Sequence, residues 1–334
     1  MSDNFKHPHA GDVQERQTAD GGFSAGWGRH FLPAEEFVID CHMHIDGKEP
    51  WMVRQALDLL FGTLAAYRLD QVIVVDGGPG SLDWLAQVAR TDRRFHFMVW
   101  MRPEKPDVEF LGRARQAGAV GVKLHNGPIM GGQFEPGVWD SPEWQGVFAA
   151  AEELGMPVLW HVTQVETAAP YIGEGAGNAL ASRRAKGSTL SNADLLEQFL
   201  RIVDRHKGIT FVGAHQLYLG DAKLAELFAA HPNLTIDTSC GYFLRFGDRM
   251  LEEDAAAARD FLCAWPDRIL FATDNKMGAA HCNEVHFEAF RCHLRFLRAL
   301  RLPQDVLDKV AWQNARRIFG LPEGDDWMTA VTRP

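Results

Sequence analysis

Phe37–Ile45 reads FVIDCHMHI, an apolar, β-branched run that ends in two histidines, His42 and His44. Side chains of a strand alternate between its faces, so two residues spaced by two point to the same side. In a barrel that side can be the lumen. Runs of the same kind recur along the chain: QVIVVDGG from Gln71, FHFMVWMRP from Phe95, AVGVKLHNG from Ala119, MPVLWHV from Met156, ITFVGAHQ from Ile209, LTIDTSC from Leu234 and RILFATDN from Arg268. With the first, they make about eight, the number of strands that closes a parallel (β/α)8 TIM barrel.

Between these runs lie longer amphipathic stretches, such as LDWLAQVARTD from Leu82 and EWQGVFAAAEELG from Glu143, the latter stopped by Gly155. This alternation predicts βα units joined by right-handed crossovers. An open doubly wound sheet is built from the same units, but no GxGxxG or Walker-type loop follows the first strand. EVHFEAFRCHLRFLRAL and PQDVLDKVAWQNARRIFGL supply closing helices after the eighth run. The expected organisation is therefore a tail over 1–36, flexible or draped over the domain, one barrel over 37–322, and a short polar tail over 323–334. Three enlarged connections, Asn126–Trp139, Thr163–Asn192 and Asn275–Asn283, follow strands at their C-terminal ends, where long loops shape substrate pockets.

The chain has 334 residues, 46% of them hydrophobic, which is ample for one large core. Its 34 basic and 44 acidic residues leave a formal charge of -10, which disfavours a nonspecific grip on nucleic acid or on an anionic membrane surface. A small-molecule substrate fits better. Five cysteines with no CxxC pair suggest neither a disulfide framework nor a thiolate zinc site, and the expected location is the cytoplasm. No stretch approaches the roughly 20 apolar residues of a membrane span.

Ionisable residues close several of the apolar runs: His161 ends MPVLWHV, His215 stands near the end of ITFVGAHQ and Asp274 near that of RILFATDN. Burying such groups without partners is costly, and one metal ion satisfies several of them at once. Two imidazoles at one strand end are a common way to hold a first-row metal, zinc above all. Lys123 and His125 share a face of the fourth run, with either metal or substrate within reach. Trp160, Tyr242, Tyr171, Phe243, Trp139 and Trp100 are candidates for aromatic walls, and Arg245, Arg183 and Arg184 for gripping an anion. Among these, Trp160, Tyr242 and Arg245 are the substrate-binding candidates carried forward.

The pattern resembles the amidohydrolase superfamily, and in particular the amidohydrolase-related branch of metal-dependent hydrolases and aminocarboxymuconate-semialdehyde-type decarboxylases. The resemblance is carried by IDCHMH, VGVKLH, ILFATD and the closing KVAWQNARRIFGL, and runs from Phe37 to about Leu321. It implies that His42, His44, His161 and Asp274 bind one divalent metal, zinc or alternatively manganese, with His215 beside it as a further ligand or a substrate-polarising group. It also raises a second reading, in which a carboxylated Lys123 bridges two metals, and implies a homo-oligomer, a dimer or higher.

A metal held this way lowers the pKa of bound water toward about 7. Asp274 then accepts and returns a proton as general base and acid, and His215 or the metal stabilises the oxyanion. The expected reaction is hydrolysis of a small cyclic or aromatic amide, lactone or ester. The same ligands also support a lyase, the non-oxidative decarboxylation of an aromatic or muconate-like acid. A catalytically silent binding barrel is the third reading, and the intact ligand set speaks against it.

Overall fold

A computed structural model describes residues 38–46, 50–64, 69–163, 190–239, 252–278, 290, 293–294 and 296–322. The expected tails over 1–36 and 323–334 lie outside the described residues. Among the described residues nine strands run in parallel: β1 (Val38–Asp46), β2 (Leu69–Gly77), β3 (Phe95–Trp100), β4 (Gly121–His125), β5 (Val158–His161), β6 (Phe211–Gly213), β7 (Leu234–Asp237), β8 (Ile269–Leu270) and β9 (Asn275–Gly278). They are hydrogen-bonded in the order β8-β7-β6-β5-β4-β3-β2-β1-β9. Since β8 and β9 both fall in or just beyond the single run RILFATDN, they are two halves of one interrupted eighth strand. One half pairs with β7 and the other with β1, so the ring closes as a TIM barrel.

The interruption is bridged from the β1 side. Cys41 N donates to Phe271 O at 3.1 Å and Asp274 N to His42 O at 2.8 Å. The buried Asp40 carboxyl accepts Thr273 Oγ1 at 2.5 Å, Thr273 N at 3.1 Å and His42 N at 3.2 Å, and so serves donors that the broken ladder leaves over. From the other side, Phe271 N donates to Val310 O at 3.0 Å. Val310 lies in the π turn Lys309–Gln313, which separates helix Gln304–Asp308 from helix Asn314–Phe319.

Helices α1 (Pro50–Leu64), α2 (Leu82–Thr91), α3 (Val108–Gln116), α4 (Pro142–Glu153), α5 (Asn192–Arg205), α6 (Asp221–Ala230) and α7 (Glu252–Ala264) belong to the outer layer. Helix α5 shows how the sequence specifies one. Ser191 and Asp194 form a reciprocal capping box at its start, and Leu195, Phe199, Ile202 and Val203 form one buried stripe at helical spacing. Two apolar clusters result. The larger lies between strands and helices and holds the outward residues, Val122, Leu124, Trp160, Leu234 and Ile236 among them. The smaller fills the lumen at its N-terminal end with Ile39, Cys41, Ile73, Met98, Leu159, Val212 and Leu270, and Ala315, Phe319 and Leu321 of the closing segment pack against it. This floor leaves the lumen open to chemistry only toward the C-terminal strand ends. Among the described residues no helix is long and apolar enough to cross a membrane.

Candidate active site

Plain alternation does not bring His42 and His44 into the lumen. Ile39 and Cys41 face the floor cluster while Val38 and Met43 face the outer one, so an odd-numbered inward face changes to an even-numbered one. The register of β1 against β2 shifts between Asp40 and Met43, which marks the bulge that makes the change. A second shift, between Val74 and Gly77 against β3, sits beside Asp76. Gly77 is required there, because a Cβ would lie 2.4 Å from Met98 O.

Each imidazole is oriented by a carboxylate. His42 Nδ1 lies 2.9 Å from Asp237 Oδ2, and His44 Nδ1 lies 2.8 Å from Asp76 Oδ1. An ionised carboxylate only accepts, so both Nδ1 atoms carry protons and both Nε2 atoms face the lumen. His42 Nε2 stands 2.8 Å from Lys123 Nζ and 3.3 Å from Asp274 Oδ1, and His44 Nε2 stands 3.1 Å from the same oxygen.

A second chain of protons fixes the other two histidines. Ser239 Oγ gives its single proton to Asp237 Oδ1 at 2.6 Å, so it accepts from His215 Nδ1 at 2.9 Å. His215 Nε2 is then an acceptor and receives the proton of His161 Nδ1 at 2.9 Å. That leaves His161 Nε2 with a lone pair. His125 is different: its Nδ1 accepts from Gly127 N at 2.6 Å, so the neutral ring keeps its proton on Nε2 and acts as a donor. Gly127 has no room for a side chain, since a Cβ would meet that ring at 2.7 Å.

Asn126 ties the ends of β4 and β5. Its Oδ1 accepts from Trp139 Nε1 at 2.9 Å and from Trp160 Nε1 at 3.0 Å, its Nδ2 donates to Val162 O at 3.0 Å, and its N donates to His161 O. With these bonds made, His125 and His161 stack at 4.1 Å.

Burial and charge set the protonation states. Burial, aided by Lys123, lowers His42, and the same pair of causes pushes His125 down to about 3. Burial lowers His215 to about 4 and His161 well below the usual histidine value. Burial also opposes protonation of His44, yet Asp76 and Asp274 outweigh it and lift the group to about 9. For Asp274 burial works against ionisation, but His42, His44 and His215 hold it well below the ordinary carboxylate range. The backbone is strained at the same place. Of six non-glycine residues with positive φ among the described residues, five are His215, Gln216, Leu217, Tyr218 and Asp274. Such conformations cost on the order of 1 kcal/mol each and gather at functional sites.

The structure thus brings His42, His44, Lys123, His125, His161, His215 and Asp274 together at one end of the lumen. Ligand atoms of His42, His215 and Asp274 all lie within 4.8 Å of one another. Trp160 does not join them. Fully buried, it faces outward against Trp139, Phe148 and Phe199, as its even position on β5 dictates. Trp139 is likewise in the outer core, whereas Trp100 stacks on His125. Arg245, Tyr242, Phe243, Tyr171, Arg183 and Arg184 lie outside the described residues. Sequence reasoning missed Asp76, Ser239 and Tyr218, whose ring stacks on His215 at 5.2 Å, and the place of Asp237 beside His42. The two aspartates were legible by the rule that found Asp274, since each closes an apolar run.

A parallel barrel with a histidine and aspartate cluster at the C-terminal ends of its strands defines a class of enzyme folds rather than one reaction. Within that class the chain belongs to the amidohydrolase family, whose sequence model matches residues 39–321. No curated protein matches by sequence. Among solved structures, it is similar to the 5-carboxyvanillate decarboxylase LigW from Sphingomonas paucimobilis, with 15% identity, a TM-score of 0.56 and coverage of 86% of this chain and 99% of that one. It is also similar to 5-carboxyvanillate decarboxylase from Novosphingobium aromaticivorans, solved with manganese and a nitrobenzoic acid, at 14% identity, TM-score 0.55 and coverage of 86% and 97%. A probable 2-pyrone-4,6-dicarboxylic acid hydrolase from Acinetobacter baumannii, solved with citric acid, matches at 13% identity, TM-score 0.53 and coverage of 85% and 99%. Decarboxylases and hydrolases share this fold.

Proposed function

We propose that the chain is a metal-dependent hydrolase of a small cyclic or aromatic amide, lactone or ester, with His42, His44, His161 and Asp274 holding one divalent cation. One observation carries the reading: two carboxylate-anchored imidazoles converge through Nε2 on the same oxygen of Asp274. Protons fill that gap in the structure, the Nε2 proton of His44 facing Asp274 and a Lys123 proton facing His42 Nε2, and a divalent cation would take their place. The donor set of nitrogens and one carboxylate fits zinc or manganese. His161 completes it through Nε2, while His215, whose Nε2 already accepts a proton, is left to orient His161 and the substrate.

A divalent cation bound there supplies Lewis acidity, favouring ionisation of water and polarising a substrate carbonyl. The residues do the rest. Asp274 starts as a carboxylate, takes the proton of the attacking water on Oδ2 and delivers it to the leaving group. His125 donates from Nε2, and the packed rings of Trp100, His125 and His161 exclude water from one side. Lys123, held against His42 Nε2, favours one cation over a bridged pair.

The same ring stack supports a second reading, decarboxylation of a flat aromatic acid, and this matches the activity named for two of the similar structures. Metal analysis of protein purified without chelator tests the site. One equivalent of zinc or manganese is expected, lost in His161→Ala and retained in Lys123→Ala; a metal-free native protein overturns the reading. Incubation with panels of lactones, amides and aromatic acids then separates ring opening from CO2 release.

A further inference from the structure

The ring stack continues beyond the histidines. Trp100 lies 5.9 Å from His125 with planes 28° apart, and with Asp76 it also lines a cavity of about 480 Å³ at the C-terminal ends of β2 and β3. That volume is typical of small-molecule pockets, which span about 300 to 1,000 Å³. Two residues, Asp76 and Trp100, therefore belong to the cavity while touching the site histidines. Met101 and Phe110 add apolar walls, and the loop after β3 contributes Arg102, Lys105 and Asp107.

The charges in this cavity are unequally committed. Asp76 accepts from His44 Nδ1 at 2.8 Å and from Ile45 N at 2.6 Å. Asp107 caps α3 by accepting from Phe110 N at 2.7 Å. Arg102 pairs with Glu104 at 3.2 Å. Lys105 forms no ion pair among the described residues, although it lines the same cavity. An ammonium beside an aromatic wall, with the neighbouring carboxylates already engaged, is complementary to a flat molecule bearing an anionic group.

We infer that this cavity is a specificity subsite in which Lys105 holds an anionic group of the substrate, at the end remote from the reacting bond, while Trp100 receives its flat body. The inference rests on the reading of the histidine cluster as the reacting centre. Lys105 is a specificity-determining residue here, not a catalytic one, since it lies on the loop after β3 and, among the described residues, no hydrogen bond or ion pair joins it to the lumen cluster. Because Lys105 is exposed, replacing it leaves the core untouched.

The test is calorimetric titration of the full-length protein with isophthalate and with benzoate, which differ by one carboxylate. The native protein is expected to bind isophthalate at least about tenfold more tightly. Lys105→Gln should abolish that preference, and Lys105→Arg should keep it. Equal affinities in the native protein, or a preference that survives Lys105→Gln, overturns the subsite. The two readings fail separately: a metal-free, inactive protein that keeps a Lys105-dependent preference sinks the proposed reaction and spares the subsite, whereas metal-dependent turnover without the preference does the reverse.

Discussion

The same strands build two unlike ends of one lumen. Toward its N-terminal end β1 contributes Ile39 and Cys41, β5 contributes Leu159 and the eighth strand Leu270, all fully buried among apolar neighbours. Toward the C-terminal end these strands contribute His42 and His44, His161 and Asp274. Only a few residues separate the floor from the mouth on each strand, yet the floor needs shape and the mouth needs partners. Apolar contacts are non-directional and tolerate variation of about the same volume. The mouth holds each imidazole by a named bond, so loss of one partner leaves a buried polar group exposed to its full desolvation cost.

That contrast predicts where substitutions act. Asp274→Asn should lower turnover by about a thousandfold, within the span usual for a lost proton-transfer group. The loss should be far larger in turnover than in stability, as kinetics and calorimetry on one preparation will show; near-native turnover with metal bound would break the mechanism. At the other end, Leu159→Ala should cost about 2 to 5 kcal/mol in a urea melt, the usual range for a buried leucine. Activity per folded molecule should survive, and loss of metal in this variant would mean that floor and mouth are not independent.

His96 sharpens the comparison further, being an ionisable residue at floor level, paired with Ile73 and carrying a buried Nε2 that finds no partner among the described residues. Burial lowers it to about 4, against 6.5 unfolded. The unfolded chain therefore binds more protons between these values, and the stability conferred by a neutral His96 is present above pH 6.5 and lost as pH falls toward 4. His96→Gln should flatten that part of the acid stability curve by an amount on the order of 2 kcal/mol, the smallest of the three effects. An unchanged slope between pH 6.5 and 4 would show that His96 is solvated in the native state.

How much was legible in advance depends on the range of the interaction. The eight runs were readable because strand patterning is local, and each became a strand or, for the eighth, two half-strands. His42 and His44 sharing a face followed from the period of two alone. Asp237 was not read as a partner of His42 because 195 residues separate them, and nothing local marks a pairing across the barrel. Trp160 shows the opposite error. A tryptophan beside a strand-end histidine looks like a pocket wall, but adjacent positions face opposite ways, so the histidine's inward direction sends the tryptophan into the outer core.

By itself, the sequence determined the alternation of strands and helices, the apolar floor and the placing of ionisable residues at strand ends, since these follow from residue type and short spacing. The tertiary structure decided which way those ends point. The bulges in β1 and β2, the break in the eighth strand bridged by Asp40, and the left-handed turns at His215 and Asp274 exist only because distant segments hold them. Each departs from a locally preferred conformation, and a locally unfavourable conformation persists only where surrounding contacts outweigh its cost.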